Sequence, residues 1–293
     1  MLVQIAVFGV VLPGAVSLAT WAVARQLGGE KSRRVAGAAA LFLAVHAASW
    51  ALFGRPELTP LDVTGWVVHV AGIALVAGVI AALAQREKSL PWIARGAGAI
   101  AIAYLILRPL LAHQFTGVAA PLAVVAAAVT LMIYWLCLDQ AVSRSTPRAG
   151  ATVMLVIAAA TAAAAGASGT VIVAQLGGAA AAGIGALWLV CLRSPDRELI
   201  RGSVPVAAAV GWSVTALATL YAAMSITVAA AVLATPVVAV VANAVVSRRW
   251  ADSRRARVLV VAATLVAAAA VVAVAVTDGR SLDPAAGADY GYD

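Results

Sequence analysis

Charge is what this sequence lacks most. Only 11% of its 293 residues are Asp, Glu, Lys or Arg, against about 25% in a soluble domain, while 64% are hydrophobic and the mean hydropathy is +1.01. A water-soluble fold is excluded, because the chain has too little polar surface to cover one. The two cysteines, Cys137 and Cys191, both sit in apolar runs. They are too few for a disulfide framework or a CxxC-type metal site and behave as small hydrophobes. No glycine-rich phosphate loop, nucleophile elbow or HExxH motif occurs, so the sequence offers no enzymatic constellation. The 20 Lys and Arg outnumber the 12 Asp and Glu, giving a net charge of +8. They are broken into short clusters between apolar runs, however, and cannot form the continuous stripe that tracks nucleic-acid phosphates. The solvent such a chain is built for is the lipid bilayer.

What is present is a series of apolar runs. A crossing needs about 20 apolar residues, and only a helix satisfies its own backbone hydrogen bonds in lipid. Six runs meet that length once: Val3 to Ala24, Val35 to Phe53, Val63 to Leu83, Pro91 to Leu111, Val118 to Leu138 and Val258 to Val276. Two more, Ala151 to Leu192 and Val204 to Val246, are about twice a single crossing. They read as helical hairpins turning near Ser168-Gly169-Thr170 and near Ser225. The sum is an all-α, polytopic bundle of ten helices over residues 1–276, followed by a polar, acidic tail at 277–293. The first run is too long for the core of a signal peptide and is expected to stay as the first span.

Ten spans also sort the charges. The clusters Arg25 to Arg34, Arg86 to Arg95, Arg144 to Arg148, Arg193 to Arg201 and Arg248 to Arg257 then share one side and hold 17 of the 20 basic residues. Cytoplasmic loops are enriched in Lys and Arg. The expectation is therefore a plasma or inner membrane protein with both termini extracytoplasmic. Trp21, Trp92, Trp135, Trp188 and Trp250 fall towards the basic side and Trp50 and Trp66 towards the other, the distribution of an interfacial aromatic belt. The spans, as bounded here, contain no Asp or Glu, and Arg95 and Arg108 lie near helix ends, which argues against a carboxylate proton relay or a carboxylate metal site.

Two halves, 1–140 and 149–276, would be related by an inverted five-plus-five repeat. Pro60 with Gly65-Trp66 in the third span is a faint counterpart of Pro205 with Gly211-Trp212 in the eighth. Pro236, followed by Asn243, marks a spot where the ninth span is expected to unwind and expose polar groups to a substrate. With Tyr104 and Tyr221 these residues are the expected lining of a substrate cavity. His46 and His69 lie at similar depth on consecutive antiparallel spans and form the expected pair for a haem or metal ion, with His113 at the same face; otherwise no cofactor is indicated.

The stretch ATLYAAMSITVAAAVLATPVVAVVANAVVSRRW, with Tyr221 before a short turn and Pro236 inside the next span, and the final apolar helix resemble the C-terminal part of EamA-like members of the drug/metabolite transporter superfamily. The resemblance runs from Thr219 to Val276, about a fifth of the chain. It implies an inverted five-plus-five bundle around a central cavity, and hence a transporter or flippase of a small uncharged or amphipathic metabolite. The alternatives are a non-catalytic subunit of a larger membrane assembly, favoured by the short loops, and a membrane protein carrying haem or metal on the two histidines.

Overall fold

The computed structural model describes residues 7–55, 57–60, 62–84, 87, 89–249 and 254–281. Ten long helices run through them. They are α1 (Leu12–Leu27, entered through a π-helical turn at Val7–Val11), α2 (Glu30–Phe53), α3 (Trp66–Leu83, entered through a 3₁₀ turn at Val63–Gly65), α4 (Ser89–His113) and α5 (Ala119–Ser143). The second five are α6 (Pro147–Ala167), α7 (Val171–Arg193), α8 (Arg197–Leu220), α9 (Ile226–Arg249) and α10 (Arg254–Ser281). The described residues contain no strand, and each helix, with its entry turn, is long and apolar enough to cross a bilayer. The chain is a multi-pass, all-α membrane protein.

Both overlong runs are hairpins. The first turns at Ser168–Thr170, where Gly169 takes a φ of +82° that side-chain-bearing residues rarely adopt. The second turns at residues 221–225. Short connections make successive helices antiparallel, which gathers the basic clusters at one end of the bundle, and side-chain contacts tie that end together. Arg148 donates to the carbonyls of Cys191 and Leu192, Arg197 to that of Ser143, and Arg95 to Asp139. Here too polar residues start the helices: Thr146 accepts from Ala149 N, and Asp196 from Glu198 N and Leu199 N, satisfying amides that a helix start leaves free.

α8 is the hub. It packs on α2, α3, α5, α6 and α7, with lighter contacts to α4 and α9. Its crossing with α2 is closely packed. A Cβ on Gly37 would stand 1.9 Å from the Leu199 carbonyl oxygen, and one on Gly202 1.9 Å from the Arg34 carbonyl oxygen. Only hydrogen fits at either place, so the two backbones touch through reciprocal Cα–H groups facing carbonyls. Beside the crossing, Arg34 Nε donates to Glu198 at 2.7 Å and Arg33 pairs with Asp196 at 3.4 Å.

Several expectations change. The suggested repeat pair does not occupy equivalent places: Gly65-Trp66 opens α3, whereas Gly211-Trp212 lies in the second half of α8, because Arg197 and not Val204 starts that helix. α5 continues to Ser143, so Asp139 lies inside a membrane helix after all, paired with Arg95 at 2.9 Å. Trp135 is not a belt residue but is fully buried, with the Arg95 guanidinium over its ring, and Trp66 is buried as well. Trp92 and Trp50 are exposed as a belt requires. α10 reaches Ser281, into the segment read as tail; residues 282–293, and Trp250, lie outside the described residues.

Candidate functional site: a lateral groove along α2, α3 and α4

Where α5 to α8 meet, the interior is closed, and a pocket of about 380 Å³ between the halves lies at the end away from the basic clusters, lined by Asp62, Thr64, Thr170 and Tyr221. The void ringed by Tyr134, Met154, Thr161, Gly177 and Gly211, where α5 to α8 meet, holds about 10 Å³, room for at most one water. Small residues bring this about: a Cβ on Gly211 would press on the Tyr134 hydroxyl at 3.0 Å, and one on Gly177 on Ala162 at 3.2 Å.

The four residues expected to share a cavity are dispersed. Tyr104 is 51% exposed on the outside of α4. Tyr221 follows the last residue of α8, and its hydroxyl donates to Ile106 O at 2.7 Å, pinning α8 to α4 away from the basic end. Asn243 is at the other end, where its Nδ2 donates to Ala141 O at 3.2 Å and Ser145 Oγ at 3.0 Å. Pro236 is buried in an α9 that runs unbroken from Ile226 to Arg249. In place of an unwound binding spot, α9 therefore offers a static polar clasp to α5. Tyr221→Phe should cost about 1 kcal/mol, the net worth of a hydrogen bond. Thermal unfolding of the detergent-solubilised protein would register the shift, and an unchanged midpoint would show that the Tyr221–Ile106 bond between α8 and α4 is idle.

The histidines, by contrast, do meet. His46 of α2 and His69 of α3 line one groove of about 790 Å³, with Phe42, Trp66, Gly72, Ile73, Val76, Ala77 and Ile80 on one wall and Ala94, Ala97, Gly98, Ala101 and Leu105 of α4 on the other. Its volume lies within the roughly 300–1,000 Å³ of small-molecule sites. From Trp66 to Ile80 it follows α3 for about 21 Å at 1.5 Å per residue, more than the roughly 15 Å thickness of one hydrocarbon leaflet. Ala97 and Val76 are exposed along it, so the groove opens sideways, towards lipid. It exists because Gly and Ala on the α4 wall leave unfilled the space that larger side chains would take.

Polar groups occur only at the end of the groove away from the basic clusters. Glu57 and Leu58, from the α2–α3 connection, line its mouth. The Arg108 guanidinium lies 5.5 Å from the centre of the Trp66 ring. The His46 ring stacks on Phe42 at 5.7 Å and meets the edge of Trp50 at 6.0 Å, while Trp66 lies 5.1 Å from His69. His69 Nδ1 is 3.4 Å from Gly65 O. His46 Nδ1 is buried and has no hydrogen-bond partner.

As a metal site the pair is incomplete. Among the described residues no three His, Cys, Asp or Glu side chains converge, and His113 is exposed at the end of α4, outside the groove lining. Glu57 and Arg108 carried no signal of their own in the sequence, since a lone loop carboxylate and a helix-end arginine are ordinary. Only the packing of three helices sets Glu57 at the mouth of the groove and Arg108 over Trp66 beside it.

No family profile, curated protein or solved structure matches this chain.

Proposed function

We propose that this protein is a transporter or flippase that takes an amphipathic molecule sideways from the bilayer, along the groove of α2, α3 and α4. The observation that carries the reading is the contrast between that groove and the closed centre where α5 to α8 meet. A water-soluble cargo needs a polar path through the bundle; the pocket of about 380 Å³ at Thr64, Thr170 and Tyr221 enters from one end, and the void at the centre is about 10 Å³. A cargo already dissolved in lipid needs an apolar furrow with polar groups at one end, and the groove supplies both. By the positive-inside rule the basic end faces the cytoplasm of the cell membrane, and the polar mouth the opposite leaflet. Ten spans agree with what the resemblance to EamA-like transporters implies, although the cavity here is lateral.

Reconstituted vesicles test this directly. With a nitrobenzoxadiazole-labelled phospholipid in both leaflets, dithionite should bleach more than the outer pool when the protein is present. Bleaching indistinguishable from that of protein-free vesicles would overturn the proposal.

A second reading has one observation behind it. The α4 wall of small residues, Ala94, Ala97, Gly98 and Ala101, is the kind of surface on which a partner's transmembrane helix packs closely, as in an accessory subunit. Copurification of a stoichiometric membrane partner from mild detergent would favour it over transport.

A further inference from the structure

We propose that the groove is a binding site for a zwitterionic glycerophospholipid with a primary ammonium, in the leaflet facing the polar mouth. The ammonium would meet Glu57, the phosphate Arg108, the ester carbonyls His46 and His69, and one acyl chain the apolar floor. This assignment rests on reading the groove as a lateral binding site.

The argument is one of order with depth. Glu57 lines the mouth and Arg108 lies beside it over the lining residue Trp66, and neither forms an ion pair with a described residue. Arg33, Arg34 and Arg201 pair with Asp196 and Glu198, and Arg95 with Asp139, at the basic end. A head carrying a single sign would use only one of the two mouth charges; a head carrying both uses both.

One turn further in come the imidazoles. His46 lies four residues below the exposed Trp50, about 6 Å along the axis, and His69 three residues below Trp66, about 4.5 Å. An exposed tryptophan such as Trp50 marks the headgroup level, so the His46 ring stands where a phospholipid carries its ester groups, and His69 lines the same groove. His46 is held between Phe42 and Trp50 with Nδ1 buried and unpartnered. An imidazole N–H at the groove surface can donate to an ester carbonyl. Below the histidines the floor is Gly72, Val76, Ala77 and Ile80 against α4, without a polar side chain. The sequence of charges, hydrogen-bonding groups and hydrocarbon is that of the lipid itself. A neutral-headed lipid such as an isoprenoid quinone, or an apolar partner helix, leaves Glu57 and Arg108 unused.

The test is native mass spectrometry of the full chain released from nanodiscs holding equal phosphatidylethanolamine, phosphatidylcholine and phosphatidylglycerol. The ethanolamine lipid should be retained preferentially, since the quaternary nitrogen of choline has no N–H and the glycerol head no cation. Glu57→Gln should lower ethanolamine retention about tenfold and erase its advantage over choline, the loss of one charge-assisted hydrogen bond. Arg108→Gln should weaken both zwitterionic lipids alike. His46→Phe preserves the aromatic stack and should weaken all three. Equal retention of the three lipids by the unmodified protein, or an ethanolamine preference that survives Glu57→Gln, overturns the proposal. So does preferential capture of a quinone when one is added to the nanodiscs. Headgroup selectivity without lipid transfer in the vesicle assay would sink the transport reading and leave this site standing; transfer without selectivity would do the reverse.

Discussion

Gly202→Ala is expected to remove nearly all folded protein from a detergent extract. The added methyl would sit 1.9 Å from the Arg34 carbonyl oxygen, a backbone atom of α2 that cannot rotate away. Overpacking of adaptable side chains costs about 1–3 kcal/mol. Here two helices must separate, and α8 packs on most of the bundle, so a loss of about 4 kcal/mol or more is expected. Gly37→Ala, its counterpart against Leu199 O, should behave the same way. Gly178→Ala is the control. It lies inside α7 with nothing within 4 Å of the new methyl, so helix propensity should leave it neutral or more stable by up to about 1 kcal/mol. Size-exclusion profiles and unfolding midpoints of the three variants decide the matter. A Gly202→Ala protein that elutes and melts like the parent would mean that the α2–α8 crossing is looser than described.

Asp139→Ala should be the most damaging substitution of a charged residue. Its carboxylate accepts from Arg95 Nη2 at 2.9 Å inside the α4–α5 contact, where Arg95 also lies over Trp92 and Trp135. Arg95 Nε and Trp135 Nε1 already lack partners in this contact. Without Asp139, the guanidinium keeps its charge in a site shielded from water and loses its counter-ion. Breaking a buried pair from one side costs about 3–5 kcal/mol. With side chains still 18% and 22% exposed, about 2–3 kcal/mol is the expected loss after solvent screening. Replacing both partners, as Arg95→Met with Asp139→Leu, should recover most of it, because no unpaired charge remains. A double variant as unstable as the single one would show that the carboxylate contributes through something other than this pair.

Much of the fold was legible in the residues. Chain segments in lipid can satisfy their backbone only as helices, so run length alone gave ten spans, and the two hairpins followed from runs of about twice one crossing. The turn at Gly169 is legible because Ser168-Gly169-Thr170 sets a glycine between two hydroxyl residues midway along an uncharged run of about twice one crossing. Helix ends were less so. Asp139 was placed outside the membrane because the apolar run stops at Leu138, yet α5 continues to Ser143 once Arg95 is there to neutralise the acid.

The site was legible only in part. His46 and His69 were singled out by matching their depth on antiparallel helices, and they do share one groove. Tyr104, Tyr221, Pro236 and Asn243 stand out in the sequence as polar or helix-breaking residues within apolar runs. Such residues equally serve as clasps, and nothing in a linear sequence tells a hydrogen bond to a neighbouring carbonyl from one kept for a ligand.

Composition and run length by themselves determined the class, the number of crossings and the gathering of positive charge at one end, because these depend on transfer from water to lipid, residue by residue. The tertiary structure alone decided where space remains. A gap between helices depends on which small residues face one another across a contact, a relation among distant positions. That is why Gly177 and Gly211 close the centre while Ala97 and Gly98 open a groove on the side.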